Sequence, residues 1–158
     1  MILYHGSKII VKKPDIFHSR KRVDFGPGFY VTPLYDQAKK LCMRYIASEQ
    51  DAYISKYILN DEIWKSNFKI LQLETYSDEW LDFVFSCRKG KDKTDYDVVI
   101  GGVANDKVFD TVELFFQGLI NKNEALGRLR YEKSNAQVCI RNQEVLDRYL
   151  YYEGSEKL

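Results

Sequence analysis

The stretch Asp24-Phe25-Gly26-Pro27-Gly28-Phe29-Tyr30-Val31-Thr32-Pro33 constrains the fold more than any other part of the chain. Two glycines around a proline make a tight turn, because glycine tolerates the backbone angles a turn needs and proline fixes its own. Phe29-Tyr30-Val31 then predicts a strand. Thr32 is a good helix N-cap, and Pro33 suits the first helical position. Leu34, Ala38, Leu41, Tyr45 and Ile46 recur at helical spacing to about Glu49. Alternation puts Phe29 and Tyr30 on opposite faces, one for the core and one for a pocket wall.

The rest of the chain mixes strands and helices without strict alternation. Ile2 to Tyr4, Ala52 to Leu59, Asn67 to Leu73, Tyr96 to Ile100 and Ala136 to Ile140 read as strands. Ser77 or Thr75 caps a helix carrying Trp80, Leu81, Val84 and Cys87. Further helices are predicted over Asp106 to Gln117, Asn121 to Leu129 and Gln143 to Tyr151. Ile9 to Phe25 reads as irregular. This order predicts an α+β fold with a mainly antiparallel sheet. The 158 residues fit a single domain, with 153–158 as a frayed tail.

Composition narrows the function. A 45% hydrophobic and 30% charged balance is that of a globular protein, not a disordered one. A net charge of +1 argues against a chain whose main work is coating nucleic acid. No apolar run is long enough to span a membrane. Met1 to Gly6 has no basic start and no small-residue cleavage site, so no secretory leader is expected and the cytoplasm is the expected compartment. Cys42, Cys87 and Cys139 are scattered and form no CxxC pair, and His5 and His18 are the two imidazoles. Neither a disulfide framework nor a metal centre is expected from that set.

Two constellations carry chemistry. Leu3-Tyr4-His5-Gly6-Ser7 ends the first strand, offering an imidazole, a bare backbone and a hydroxyl in succession. The second is the Asp24 to Thr32 stretch, with its two glycines and its aromatic pair. In this order, and followed by a helix with Ala38 in its early turns, they resemble the ADP-ribosyltransferase superfamily. The likeness is to the H-Y-E branch of poly(ADP-ribose) polymerases and diphtheria toxin, where the order reads His-Gly-Ser, then Phe-Gly-Lys-Gly-Ile-Tyr-Phe-Ala. Within it, the chain is most similar to a bacterial domain family, over about residues 2 to 151. That likeness takes in Glu79-Trp80-Leu81-Asp82-Phe83-Val84, Tyr96-Asp97-Val98-Val99-Ile100-Gly101 and Ala104-Asn105-Asp106.

The resemblance implies split antiparallel sheets enclosing an NAD cleft, and mono-ADP-ribosyl transfer from NAD to a protein or nucleic-acid acceptor, with NAD hydrolysis as a side activity. His5 matches the histidine that bonds the adenosine-side ribose. Gly6 matches the glycine whose backbone clamps the nicotinamide carboxamide, and Ser7 adds a hydroxyl near it. Tyr30 matches the tyrosine that stacks on nicotinamide. Gly28, Arg22 and Asn105 join the binding set. Arg22 comes from the basic stretch Lys8, Lys12, Lys13, Arg20, Lys21 and Arg22, which borders the donor site and can meet the pyrophosphate. Asn105 caps a helix and can face the cleft.

The chain departs from the branch at one position. Where those enzymes carry a glutamate, this sequence has Gln137. An amide can bond the nicotinamide-side ribose but brings no charge to a developing cation. Bonds to charged groups are worth about 1.5–3 kcal/mol and neutral ones about 1, so the exchange costs about one to two powers of ten in rate. Glu132 is the next candidate for a carboxylate, and returning glutamate at 137 is expected to be neutral or faster. The resemblance also implies a toxin-like effector restrained by a small neighbouring protein. The alternative is an NAD or ADP-ribose sensor, or an interaction module, on the same fold.

Overall fold

The computed structural model describes residues 1–132 and 135–158. It is a mixed α+β fold built on two open sheets. The three-stranded sheet runs in the order β1-β3-β7, from β1 (Ile2–Ser7), β3 (Tyr53–Leu59) and β7 (Leu150–Lys157). The four-stranded sheet runs in the order β2-β6-β5-β4, from β2 (Phe29–Val31), β6 (Gln137–Ile140), β5 (Val98–Gly101) and β4 (Ile70–Gln72). Pairing is antiparallel except between β4 and β5. That parallel pair needs a crossover, which α2 (Asp78–Arg88) supplies. The two sheets are stitched where Tyr4 and Thr32 exchange backbone hydrogen bonds of 2.8 and 2.9 Å.

Alternation sorts the side chains of the four-stranded sheet. Phe29, Val31, Val138 and Ile140 face one core, together with Leu3, Tyr57 and Leu59 from the three-stranded sheet. Cys139 and Val99 face a second core with Phe25, Trp80, Val84 and Val108, and Tyr30 packs against its edge. That core lies under α2, α3 (Asp106–Phe116) and α4 (Lys122–Leu129). A third, smaller core of Ala38, Cys42, Ala52 and Ile54 lies under α1 (Tyr35–Ala47). Gly6 explains how closely α1 sits on β1: a Cβ there would lie 2.7 Å from the Ala38 carbonyl oxygen and 3.0 Å from Cys42 Sγ.

Several boundaries differ from the sequence reading. Thr32 does not cap α1; Leu34 holds that position, without a side-chain cap. Both backbone groups of Thr32 are taken by Tyr4, so the chain is free to turn into a helix only after it. Its hydroxyl donates instead to Ala136 O at 2.8 Å and accepts from Leu34 N at 3.1 Å. Ser77, rather than Thr75, caps α2 by accepting from Trp80 N.

The largest correction is at the C-terminus. Residues 153–158 are no frayed tail, and the last helix, α5 (Gln143–Tyr149), stops short of Tyr151. β7 pairs along the whole of β3, from Leu150 with Leu59 to Lys157 with Tyr53. Its polar residues are held by partners: Ser155 Oγ bonds both Ser55 Oγ, at 2.9 Å, and Tyr152 OH, at 2.8 Å. An edge strand buries only alternate residues, so a Tyr-Glu-Gly-Ser-Glu run carries little strand signal in its composition.

Candidate functional site

A cleft opens beside the Tyr4–Thr32 stitch and has two lobes, of about 840 and about 800 Å³. His5, Gly6, Tyr30, Leu41 and Gln137 line both lobes and form the waist between them. The first lobe is walled by the N-terminal part of α1 and by the corner from Val103 to Asp106. The second is walled by the irregular segment after β1, which brings Lys12, Lys13 and Arg20 beside Ile9, Ile10 and Tyr45. Both volumes lie within the ordinary range for small-molecule sites.

His5 is fixed by its neighbour across the stitch. Its Nδ1 lies 2.7 Å from Tyr30 O, and its ring packs on Phe29 with centroids 4.6 Å apart. A carbonyl can only accept, so Nδ1 carries the proton. Burial holds the imidazole below its ordinary value, with the Tyr30 carbonyl working against the shift. A neutral ring protonated on Nδ1 leaves Nε2 as a bare acceptor. Nε2 has no protein partner among the described residues and is not sealed from solvent.

Tyr30 lies on the same face of the sheet as Cys139 and Gln137, because Tyr30 and Cys139 are paired across the strands. Its hydroxyl donates to Gly26 O at 2.6 Å and accepts from Phe25 N at 3.0 Å. The ring is thus anchored at its far end by the turn that precedes it. Burial is the main cause pushing its phenol well above the ordinary range, so Tyr30 acts as a fixed wall and not as a base. Gly28 is part of that anchoring: a Cβ there would lie 2.6 Å from Cys139 Sγ and 2.7 Å from Ile140 O. Gly28 also lines the second lobe.

Gln137 is 8% exposed and sits where β6 begins. Gln37 holds the preceding residue from both sides, donating to Ala136 O at 3.0 Å and accepting from Ala136 N at 3.3 Å. The Gln137 amide nitrogen donates to Asp24 Oδ2 at 3.2 Å and to Gly102 O at 3.3 Å. Asp24 is itself buried and accepts from Arg88 Nε at 2.9 Å, Arg88 NH2 at 2.5 Å and Ala104 N at 3.1 Å. Trp80 Nε1 donates to the same Gly102 oxygen at 2.9 Å. The waist therefore brings together two uncharged acceptors, Nε2 of His5 and Oε1 of Gln137, with the Tyr30 ring. Such a set suits a ligand carrying hydroxyl groups and a flat ring.

Other residues singled out from sequence fall in different places. Asn105 lines the first lobe, but its side chain is occupied in capping α3 through Val108 N at 3.1 Å. Ser7 lines the second lobe and donates to Ile9 O at 2.5 Å. Arg22 is exposed, lies beside Gly90 past the end of α2, and lines neither lobe. Arg20 is the nearby cation that does. Glu132 lines neither lobe. All three cysteines are free and buried. Burial pushes the thiols of Cys87 and Cys139 up to about 12, which removes them as nucleophiles near neutral pH. Among the described residues, no group of three or more His, Cys, Asp and Glu could hold a metal ion, and no helix is long and apolar enough to cross a membrane.

Asp24 and Arg88 are the site residues that the sequence reading missed. Asp24 stood in the turn motif without a role. Its signal was an acid immediately before a turn in which Phe25, Gly26 and Gly28 are buried. Arg88 stands in the last turn of α2, where a cation is ordinary and carries no signal of a site.

A family model described as a protein of unknown function (DUF3990) matches residues 1–152. The chain belongs to the DUF3990 family. No curated protein and no solved structure matches it. The match runs from β1 into β7. It therefore takes in every residue of this DUF3990 chain that forms the cleft waist.

Proposed function

We propose that the chain is a mono-ADP-ribosyltransferase that uses NAD as co-substrate, on an ADP-ribosyltransferase-like arrangement of its two sheets. The observation that carries the reading is the waist. A neutral histidine acceptor, a glycine pressed against a helix, an anchored tyrosine ring and a buried glutamine amide meet there, in the chain order that the sequence resemblance gave. The dinucleotide has a flat ring, two riboses with free hydroxyls and a pyrophosphate. In this reading His5 Nε2 accepts from one ribose hydroxyl and Gln137 Oε1 from the other. Tyr30 packs on nicotinamide, and Lys12, Lys13 and Arg20 in the second lobe meet the pyrophosphate.

The bond from ribose C1′ to the nicotinamide nitrogen breaks, and neutral nicotinamide leaves with the bonding electrons. The acceptor heteroatom attacks C1′ from the opposite face and gives up its proton to solvent. Water as acceptor gives hydrolysis. The chain's own residues supply positioning and electrostatics, not proton transfer. The acceptor is a macromolecule, protein or nucleic acid, in the cytoplasm. Restraint by a small partner that covers the cleft accompanies the reading by resemblance alone.

The test incubates the full chain with NAD labelled on the adenosine side, with and without cell lysate. Nicotinamide release is followed, and acceptors are identified by mass spectrometry. Release with labelled acceptors supports transfer. Binding of NAD without release favours the sensor reading, for which the uncharged amide at Gln137 is the specific observation. Absence of both removes NAD from the proposal.

A further inference from the structure

The contacts of Asp24 divide into two sets. Arg88 occupies Oδ1 with two donors, while Ala104 N and the Gln137 amide nitrogen occupy Oδ2. A carboxylate only accepts, and Gly102 O only accepts, so the amide of Gln137 has one acceptable orientation. The reverse orientation would press its oxygen against two oxygens, one of them charged. The nitrogen is therefore turned inward, and Oε1 is left without a partner among the described residues, open to the waist. Arg88 is held in turn by the Phe109 ring, 4.8 Å from its guanidinium carbon, and by Glu113 at 3.9 Å.

We propose that Asp24 is a positioning residue for Gln137: it fixes the amide with Oε1 toward the cleft and sets a negative charge one hydrogen bond behind it. This rests on the transfer reading above, in which Oε1 accepts from the reacting ribose. A charge on the N–H side of an amide draws electron density toward its oxygen, so Oε1 becomes a stronger acceptor than an isolated glutamine would offer. The charge that a glutamate would carry at 137 is then divided between two residues. Arg88 pairs with the carboxylate through two hydrogen bonds, and the amide passes part of its effect to the cleft.

The experiment compares the full-length wild type with Asp24→Asn, which keeps the shape and removes the charge. Nicotinamide release should show kcat lowered about tenfold with KM for NAD changed less than about twofold, because the orienting contact acts in the transition state. A second measurement needs no turnover: the side-chain amide signals of Gln137 in a nitrogen–proton NMR spectrum, assigned by their loss in Gln137→Ala. They should be shifted and protected from exchange in the wild type and move to solvent-like values in Asp24→Asn. The double variant Asp24→Asn, Gln137→Glu should recover kcat, since it returns a negative charge to the waist at residue 137 itself. If Asp24→Asn fails to fold with Arg88 unpaired, Asp24→Asn, Arg88→Gln removes both charges and takes its place. Unmoved amide signals, or a fall in kcat that the exchanged pair does not recover, overturn the positioning role. Moved signals in a wild type that neither binds nor cleaves NAD retain the positioning role and overturn the transfer reading.

Discussion

On the β1 bank of the cleft, His5 meets the ligand space with an aromatic ring behind it and one backbone carbonyl on its far nitrogen. On the β6 bank, Gln137 meets the same space with a carboxylate, a guanidinium and a tryptophan-bound carbonyl behind it. The first bank keeps its polar atom neutral by burial. The second holds an ion pair, of which Asp24 itself reaches the second lobe, beside an uncharged amide that lines both lobes. A neutral acceptor contributes similarly to ground state and transition state, so the β1 bank should govern affinity. A fixed charge gains value only where charge develops, so the β6 bank should govern rate.

The largest effect should come from breaking the ion pair. The side chains of Arg88 and Asp24 are 20% and 10% exposed. Arg88→Ala leaves a buried carboxylate without its cation, which typically costs about 3–5 kcal/mol. Urea unfolding should register that loss, and adding Asp24→Asn should recover much of it, because the double variant has no charge to strand. Additive losses in that cycle would mean that the two side chains stabilise the fold independently, and the bank would lose its network character.

On the other bank, His5→Ala should weaken NAD binding by about 1–3 kcal/mol, the cost of leaving a buried polar contact unmade. Calorimetry measures it, and kcat of the saturated variant should change far less. Equal affinities would take His5 out of the site. A matched fall in kcat would erase the division of labour between the banks.

Gln137→Glu sharpens the comparison at about tenfold, or about 1.4 kcal/mol. The new carboxyl would stand beside Asp24 Oδ2, now 3.2 Å from the amide nitrogen. Two carboxylates at that distance raise one pKa, with Arg88 offsetting part of the repulsion. The variant should therefore be slow at low pH, where residue 137 is protonated and bonded to Asp24. It should gain rate as pH rises through the raised value, while its folding stability falls over the same range. The expectation of a neutral or faster enzyme, drawn from sequence, holds only at the alkaline end. A flat rate profile between pH 6 and 9 would show that Asp24 does not feel the new charge.

This split also explains what sequence could convey. Local rules carried the turn at Gly26, the strand Phe29–Val31 and the Ser77 and Asn105 caps, since each depends on residues adjacent in the chain. The His5, Tyr30 and Gln137 set was legible through motif order, and the three do meet at one waist. Asp24 and Arg88 were not, because their contact spans 64 positions and neither residue type signals burial. β7 was hidden for a related reason: its partner β3 lies far off in the chain, with Leu59 paired to Leu150 and Tyr53 to Lys157, and its own sequence is mostly polar. Arg22 and Arg20 are close neighbours in an irregular segment, where no periodicity says which one turns toward the cleft.

The smallest effect concerns the protonation of His5. Its folded-state pKa lies below the ordinary 6.5, with burial as the first cause. The unfolded chain therefore binds a proton more readily than the folded one. Stability attributable to His5 is complete above 6.5 and is lost as pH falls from there toward the folded-state value. His5→Asn offers a control, because an asparagine amide can still donate to Tyr30 O but does not titrate. Between pH 7.5 and 5.5 the wild type should lose stability relative to His5→Asn by a fraction of the about 1.4 kcal/mol that one pKa unit represents. Protonation of the folded ring, which would replace the Nε2 acceptor with a donor, comes only at the lowered folded-state value, so NAD affinity should hold over the upper part of that window and fall at lower pH than stability does. Parallel stability curves for the two proteins would mean that His5 folds as readily charged as neutral. The β1 bank would then owe its acceptor to the ligand and not to burial.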